Sequence, residues 1–433
     1  MRLRRPSAIR GDMDEPDMRG MANPRLKSAS APTAAPTSVV ALRQAVAEKT
    51  AELCLRKYSG NVLGLVLTGS LARDEATWAP DGAGWKLLGD AEFLLALRPE
   101  FAEPPRAAVD ALAKEIQSAL RREGIAAYVQ LAPVYPRYFR DLRPSVFAYE
   151  LQECGRVVWG DTSLLALIPH FTAAQIPLED AWRMLANRMV ELLEATTQAA
   201  GQQVPESLRY RTVKLYLDMA TSLLLFAGEY APGYRERQRR LQVLADRDPA
   251  AKSWPFALAP FAQQVSTATD LKLQGGWLSP AEEGWEIWRE AVRYARLLWD
   301  WEIARLSAAP AGKAGDELMR GWMRQQAVAG LRGWMFTWRA SGWLRSFRYW
   351  PRWLRLAIGG SPRYWVYRAA HLLFCHLPGA LSAGSQVQAK DFAAAWRALP
   401  VVRRANSGQA PSWKELVEEV SWNYHRFVEP TRA

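Results

Sequence analysis

Asp90 and Glu92 are the residues of this 433-residue chain best suited to do chemistry. In an extended segment successive side chains alternate between faces, so these two project to one side while Ala91 turns to the other. Two carboxylates held side by side repel each other unless a cation lies between them. Mg²⁺ bound by one or two carboxylates and by substrate phosphates is the usual device of phosphoryl and nucleotidyl transfer. Upstream, Gly69-Ser70 follows the apolar run Val62–Leu67. Glycine lets a backbone approach a phosphate closely, and a helix capped by Ser70 would aim free N–H groups at it. The pattern predicts a nucleoside triphosphate site, with Gly69 and Ser70 on the phosphates and Asp90 and Glu92 on Mg²⁺ or Mn²⁺.

The elements that must position these residues are legible around them. A helical pattern begins near Val39 and stops at Gly60-Asn61. Val62–Leu67 reads as a buried strand because it is continuously apolar. Asp81-Gly82 between hydrophobic flanks predicts a hairpin. A second strand covers Ala91–Leu97 with Asp90 at its start, an amphipathic helix covers Ala107–Arg122, and a third strand covers Ile125–Val134. Pro136–Pro144 reads as a polar turn region. From Leu178 onward the apolar spacing is helical. The expected fold is an α/β domain with a small mixed sheet, residues 38–161, followed by an all-α region. That region divides into a helical bundle at 162–306 and a basic Trp/Arg-rich helical part at 316–433. Residues 1–37, rich in Pro, Ser, Ala and Arg without periodicity, read as a disordered basic tail.

Gly69-Ser70 on a strand-to-helix turn, followed by Asp90-Ala91-Glu92-Phe93 on the next strand, resembles the signature of the polymerase-β-type nucleotidyltransferases. That superfamily includes aminoglycoside nucleotidyltransferases and minimal nucleotidyltransferases with helical partners. The resemblance covers about Val39 to Asp161. It implies transfer of a nucleotidyl group, AMP from ATP with Mg²⁺, to a hydroxyl of a small molecule, glycan precursor or protein. The interval between Ser70 and Asp90 is longer than in the family, and the Asp81-Gly82 hairpin would absorb the excess. The family also carries a third carboxylate on a later strand, and the matching position here is Gln130. An amide cannot take a proton at neutral pH and ligates Mg²⁺ poorly. Either Glu123, Asp141 or an acid of the helical region replaces it, or the domain binds nucleotide as a sensor or scaffold with catalysis weakened or lost. In related enzymes a neighbouring helical domain lends a basic residue to the triphosphate. Lys214, in a polar stripe with Arg211 and Asp218, is the candidate for that role; a salt-bridged exposed face is the other reading of the stripe.

The formal net charge is +12, and the segment from Lys313 to the end holds +11 of it, with 18 Lys and Arg against 7 Asp and Glu. No acidic residue occurs between Glu317 and Asp391, where ten arginines alternate with seven tryptophans. Three readings fit this composition: an amphipathic surface at 320–371 for an anionic membrane, an Arg-aromatic surface for nucleic acid, or a globular helical core with solvated arginines. Arg345, Arg348, Arg352 and Arg355 fall on one side of a helix and Trp343, Phe347, Trp350 and Leu354 on the other, with Pro351 kinking or splitting it. Three scattered cysteines argue against a disulfide framework and for a reducing compartment. With no long uncharged apolar run, the expected location is the cytoplasm, with peripheral attachment to the inner membrane face only under the first of the three readings. His371 and Cys375, four residues apart, read as helix packing rather than a metal site. The oligomeric state is not encoded in any pattern found.

Overall fold

The apolar run after Asn61 becomes an inner strand, as its lack of alternation requires: Val62–Thr68 (β1) pairs on both edges and is buried almost throughout. The computed structural model describes residues 38–197, 204–247, 253–275, 284–308, 315–326, 330–335, 349–380, 389–403 and 412–428. The segment 1–37 lies outside the described residues. The chain divides into two units, one spanning residues up to Ile176 with two short later segments, and the other holding most of the residues from Pro177 onward. The architecture is mixed α/β, with the sheet confined to the first unit and helices making up the second.

In the first unit, α1 (Val39–Tyr58) precedes β1, α2 (Gly69–Ala72), β2 (Trp78–Asp81), β3 (Gly84–Leu97), α3 (Arg106–Arg122), β4 (Ile125–Val134), α4 (Pro136–Arg140), α5 (Val146–Cys154) and β5 (Arg156–Gly160). The sheet is mixed. β3 runs antiparallel to β1 and β2 and parallel to β4, and β5 completes the sheet beside β1. The parallel pair β3–β4 needs a crossover, which α3 supplies. The β2–β3 hairpin turns at Gly82, whose φ of 60° suits glycine. One face of the sheet carries Leu65, Leu67, Ala91, Phe93, Val129 and Leu131, packed on α1 and α3. The opposite face carries Val66, Leu94, Ala96 and Val134, packed with Phe139 of α4 and with Ala148 and Leu151 of α5. The region Pro136–Pro144 thus holds a short helix in place of the expected polar turn, because Phe139 is drawn into this second core.

The second unit contains α6 (Leu178–Thr196), α7 (Glu206–Phe226), α8 (Tyr234–Arg247), α9 (Leu258–Gln274), α10 (Gly284–Ser307), α11 (Gly315–Gln325), α12 (330–335), α13 (Trp350–Ala357), α14 (Pro362–Phe374), α15 (Leu377–Ala380), α16 (Ala389–Ala398) and α17 (Trp413–Phe427). Trp182 of α6 is fully buried and meets Trp299 of α10, Trp322 of α11 and Tyr367 of α14, with ring centroids 4.7, 5.1 and 5.5 Å away. Trp322, Trp334 and Trp353 are all buried, so these tryptophans of the basic region serve the helical core. Pro351 stands in the first turn of α13, where its missing N–H costs nothing. The helix buries Trp353 and Leu356, not Leu354. Trp343, Arg345, Phe347 and Arg348 lie outside the described residues. No described helix is long and apolar enough to cross a membrane.

Two buried titratable groups set opposite pH trends in this unit. Glu302 is fully buried, accepts a hydrogen bond from Ser222 Oγ at 2.5 Å, and has no partner for Oε2 among the described residues. Burial pushes its carboxyl up to about 8, against the pull of Ser222. The folded state therefore holds a proton that the unfolded chain has released, and stability is lost as pH rises from the unfolded carboxyl pKa through about 8. His371, buried and stacked on Trp299 at 4.8 Å, is pushed down to about 4 by burial. It stays neutral when folded, so stability is lost as pH falls from about 6.5, where the unfolded imidazole takes up a proton, to about 4. Glu302→Gln copies the protonated carboxyl in shape and is expected to raise stability at pH 8 by about 2–4 kcal/mol while changing little at pH 4.5. Urea unfolding of both forms across this range checks it; parallel pH curves would remove Glu302 as the source.

Candidate functional site

β3 is longer than its apolar half predicts, running from Gly84, so Asp90 stands mid-strand rather than at a strand start. The pairing with β4 is irregular between Lys86 and Asp90 and regular beyond it. Along one face of β3 the side chains pass from exposed Asp90 through half-buried Glu92 to buried Leu94 and Ala96. The two carboxylates thus lie where the second core runs out and the sheet face opens. In register, Thr68 of β1 opposes Glu92, while Tyr128 and Gln130 of β4 oppose Asp90 and Glu92.

Gly69 turns the chain away from β1 with φ of 70°, a conformation glycine adopts without strain. A Cβ at this position would collide with the Glu92 carboxylate. The turn and the acid strand are therefore in direct apposition. Ser70 is a different matter. The helix begins at Gly69 behind Thr68, no side chain caps it, and it lasts only four residues. Ser70 lies inside the turn, where its carbonyl accepts from the Glu75 N–H at 2.9 Å. A single turn has little macrodipole, so the close backbone and not a helix terminus is what this element offers a phosphate. Gly69→Ala is expected to cost about 1–3 kcal/mol through strain and displacement of Glu92. Metal-dependent nucleotide affinity should fall with it, whereas Ser70→Ala should change either value far less; denaturation and nucleotide titration measure both.

Gln130 Nε2 donates to Asp90 Oδ2 at 2.8 Å. The amide at the third position is thus joined to the first acid. Of the replacement acids considered, Glu123 is ion-paired with Lys49 of α1 at 2.8 Å, on the other face of the sheet. Asp141 follows α4, after β4 has left the sheet. Neither stands in the register of Asp90 and Glu92. Burial, with the Asp90 carboxylate as the next cause, raises the Tyr128 phenol and marks it as a neighbour of Asp90.

Sequence reasoning missed the ion pairs just beyond the turn. Arg73, its side chain buried, bridges Glu75 at 3.1 Å and Glu150 of α5 at 2.5 Å. Arg156 of β5, paired in register with Leu67, donates from Nε to the Ala72 carbonyl at 2.6 Å and is also paired with Asp74. Asp74 in turn pairs with Arg43 of α1. The only sequence cue was the charge cluster Arg73-Asp74-Glu75, whose partners Glu150 and Arg156 are distant in the chain.

Among the described residues, no group of three or more His, Cys, Asp or Glu side chains is arranged to hold a metal. Comparison of the chain with protein families, curated proteins and solved structures found no match. The site is therefore read from its own geometry. Asp90 and Glu92 supply two carboxylates on one face, which suits Mg²⁺ completed by phosphate oxygens and water better than a closed protein cage. Lys214 belongs to the second unit, where its ammonium lies over the Tyr210 ring at 5.6 Å, with that of Lys272 at 5.5 Å from the same ring. Its stripe neighbours are engaged in ion pairs, Arg211 with Glu191 and Asp218 with Arg188. Arg237 is buried and donates to Ala231 O and Thr221 Oγ1. His371 Nε2 lies 3.5 Å from Cys375 Sγ in a packing arrangement, and all three cysteines are free.

Proposed function

We propose that the first unit is a nucleotidyltransferase domain that binds a nucleoside triphosphate, ATP in the simplest case, with Mg²⁺ or Mn²⁺. The observation that carries this reading is the apposition of the Gly69 turn to Glu92, with Asp90 on the same strand face. The resemblance to polymerase-β-type enzymes rests on the same residues. The antiparallel β1–β3 pair with parallel β4 supports it, because the third-acid position then lies beside the acid pair. Asp90 and Glu92 would hold the metal, which would neutralise phosphate charge during transfer. Gly69 would let the triphosphate lie against the backbone, with Ser70 beside it. In the reaction, an acceptor hydroxyl oxygen bonds to the α-phosphorus, the bond from that phosphorus to the bridging oxygen breaks, and pyrophosphate leaves while the hydroxyl proton passes to a base. Purified protein incubated with labelled ATP and Mg²⁺ tests the reading; a chain that neither binds nor turns over any nucleoside triphosphate ends it.

The Gln130–Asp90 hydrogen bond favours a second reading, a nucleotide-binding sensor or scaffold with impaired catalysis. Gln130→Asp separates the two. It replaces a neutral donor with a carboxylate opposite Glu92, so a degenerate site is expected to gain about tenfold or more in Mg²⁺-dependent transfer. Unchanged transfer would place the proton acceptor on another group. Cytoplasmic location remains part of the proposal and fits the free cysteines.

A further inference from the structure

Two helices of the second unit touch through buried tryptophans and each turn an apolar pair outward. Trp334 of α12 packs on Trp353 of α13 at 5.8 Å, and its Nε1 donates to the Gly360 carbonyl at 2.7 Å. On α12, Leu331 and Met335 are 57% and 43% exposed; on α13 and the residue after it, Leu354 and Ile358 are 56% and 82% exposed. Each pair is spaced i, i+4, the spacing of a helix face. A core that buries three tryptophans of this region had every reason to bury these four as well. Their exposure is therefore a property of the surface to be explained.

The charge beside them points to the partner. Arg332 and Arg355 are exposed next to Leu331 and Leu354. Arg352, by contrast, is used internally, donating to the Leu399 and Trp396 carbonyls at 2.7 and 2.5 Å. No acidic residue occurs between Glu317 and Asp391, so no carboxylate of this stretch opposes the arginines or would repel an anionic surface. Apolar side chains at helix spacing, with arginine as their charged sequence neighbour, match the boundary of an anionic bilayer, where the alkyl groups enter the acyl region and guanidinium groups meet phosphate.

We infer that Leu331, Met335, Leu354 and Ile358, flanked by Arg332 and Arg355, form a docking surface for an anionic lipid bilayer. Binding is peripheral and reversible, and it weakens with salt through its charged part. The full-length protein is floated with vesicles of phosphatidylcholine alone and with added phosphatidylserine. Binding is expected to the anionic vesicles only. Leu354→Glu with Ile358→Glu, or Leu331→Glu with Met335→Glu, is expected to lower the partition coefficient by about tenfold or more. Arg332→Gln with Arg355→Gln should lower it by about tenfold at low salt and less at high salt. These side chains are exposed, so an unchanged near-ultraviolet circular dichroism spectrum certifies the fold of each variant. Wild-type protein that stays unbound overturns the inference, as do apolar variants that bind like wild type. Sedimentation showing a dimer that Ile358→Glu dissolves, without vesicle binding, assigns the surface to a second copy of the chain and also overturns it. No nucleotide enters the assay, so its outcome is independent of the proposed transferase activity.

Discussion

D90N combined with E92Q is expected to abolish Mg²⁺-dependent nucleotidyl transfer, with a loss of about a thousandfold or more, and to remove the metal-dependent part of nucleotide binding. The substitutions keep the shape of both side chains and delete two negative charges from one strand face. The amide introduced in place of the Asp90 carboxylate retains an oxygen that can accept from Gln130 Nε2, so the link to β4 survives. Asp90 is exposed and Glu92 half-buried, and neither packs in the hydrophobic clusters of the sheet. The unfolding midpoint should therefore remain close to that of the wild type. Titration with Mg²⁺ and a nonhydrolysable ATP analogue, alongside the transfer assay, separates the two effects. Binding that is equally metal-dependent in the double variant would show that these carboxylates do not hold the ion.

Trp182→Ala is expected to destabilise the helical unit by about 3–5 kcal/mol, the usual cost of deleting a large buried aromatic. The ring is fully buried and meets aromatic rings from α10, α11 and α14, so no single neighbour can collapse into the space. Trp182→Phe should cost less than half as much. It keeps most of the apolar volume, and it removes an indole N–H that has no hydrogen-bond partner among the described residues. Urea unfolding followed by near-ultraviolet circular dichroism measures both. A loss within about 0.5 kcal/mol for Trp182→Ala, the range of surface substitutions, would mean that the ring is not central to the core.

Most of the sheet is legible in the sequence, but β5 is not, because Arg156–Gly160 is a five-residue edge strand too short to show a clear pattern. Continuous apolarity puts β1 inside the sheet, and Asp81-Gly82 fixes the hairpin. The i, i+2 spacing puts Asp90 and Glu92 on one face. β3 reads too short because Gly84–Gly89 mixes glycine with polar and apolar residues and pairs irregularly, leaving no clean alternation. Ser70 reads as a helix cap because a cap is inferred from residue type, whereas the turn geometry here begins one residue earlier at Gly69. The Arg73–Glu150 and Arg156–Asp74 pairs are invisible because nothing local in the sequence specifies which distant charge an arginine meets. In the C-terminal region an even mixture of Arg and Trp fits a core and a surface equally well. Only the fold separates buried Trp353 from exposed Leu354, its immediate neighbour.

The aromatic cluster around Trp182 also fixes an order of events during synthesis. α6 is bonded to the distal end of the chain: Tyr367 Oη donates to Asn187 Oδ1 at 2.6 Å, and Ser421 Oγ donates to Glu194 Oε1 at 2.6 Å, across sequence separations of 180 and 227 residues. A ribosome adds about 5–20 residues per second, so α6 waits on the order of ten seconds or more for these partners. During that interval its apolar face is covered only in part, by α7 and then α10, while the strands and helices of the first unit are already complete in the emerged chain. The helical unit is thus the aggregation-exposed part of the nascent protein, and the part that would depend on a chaperone.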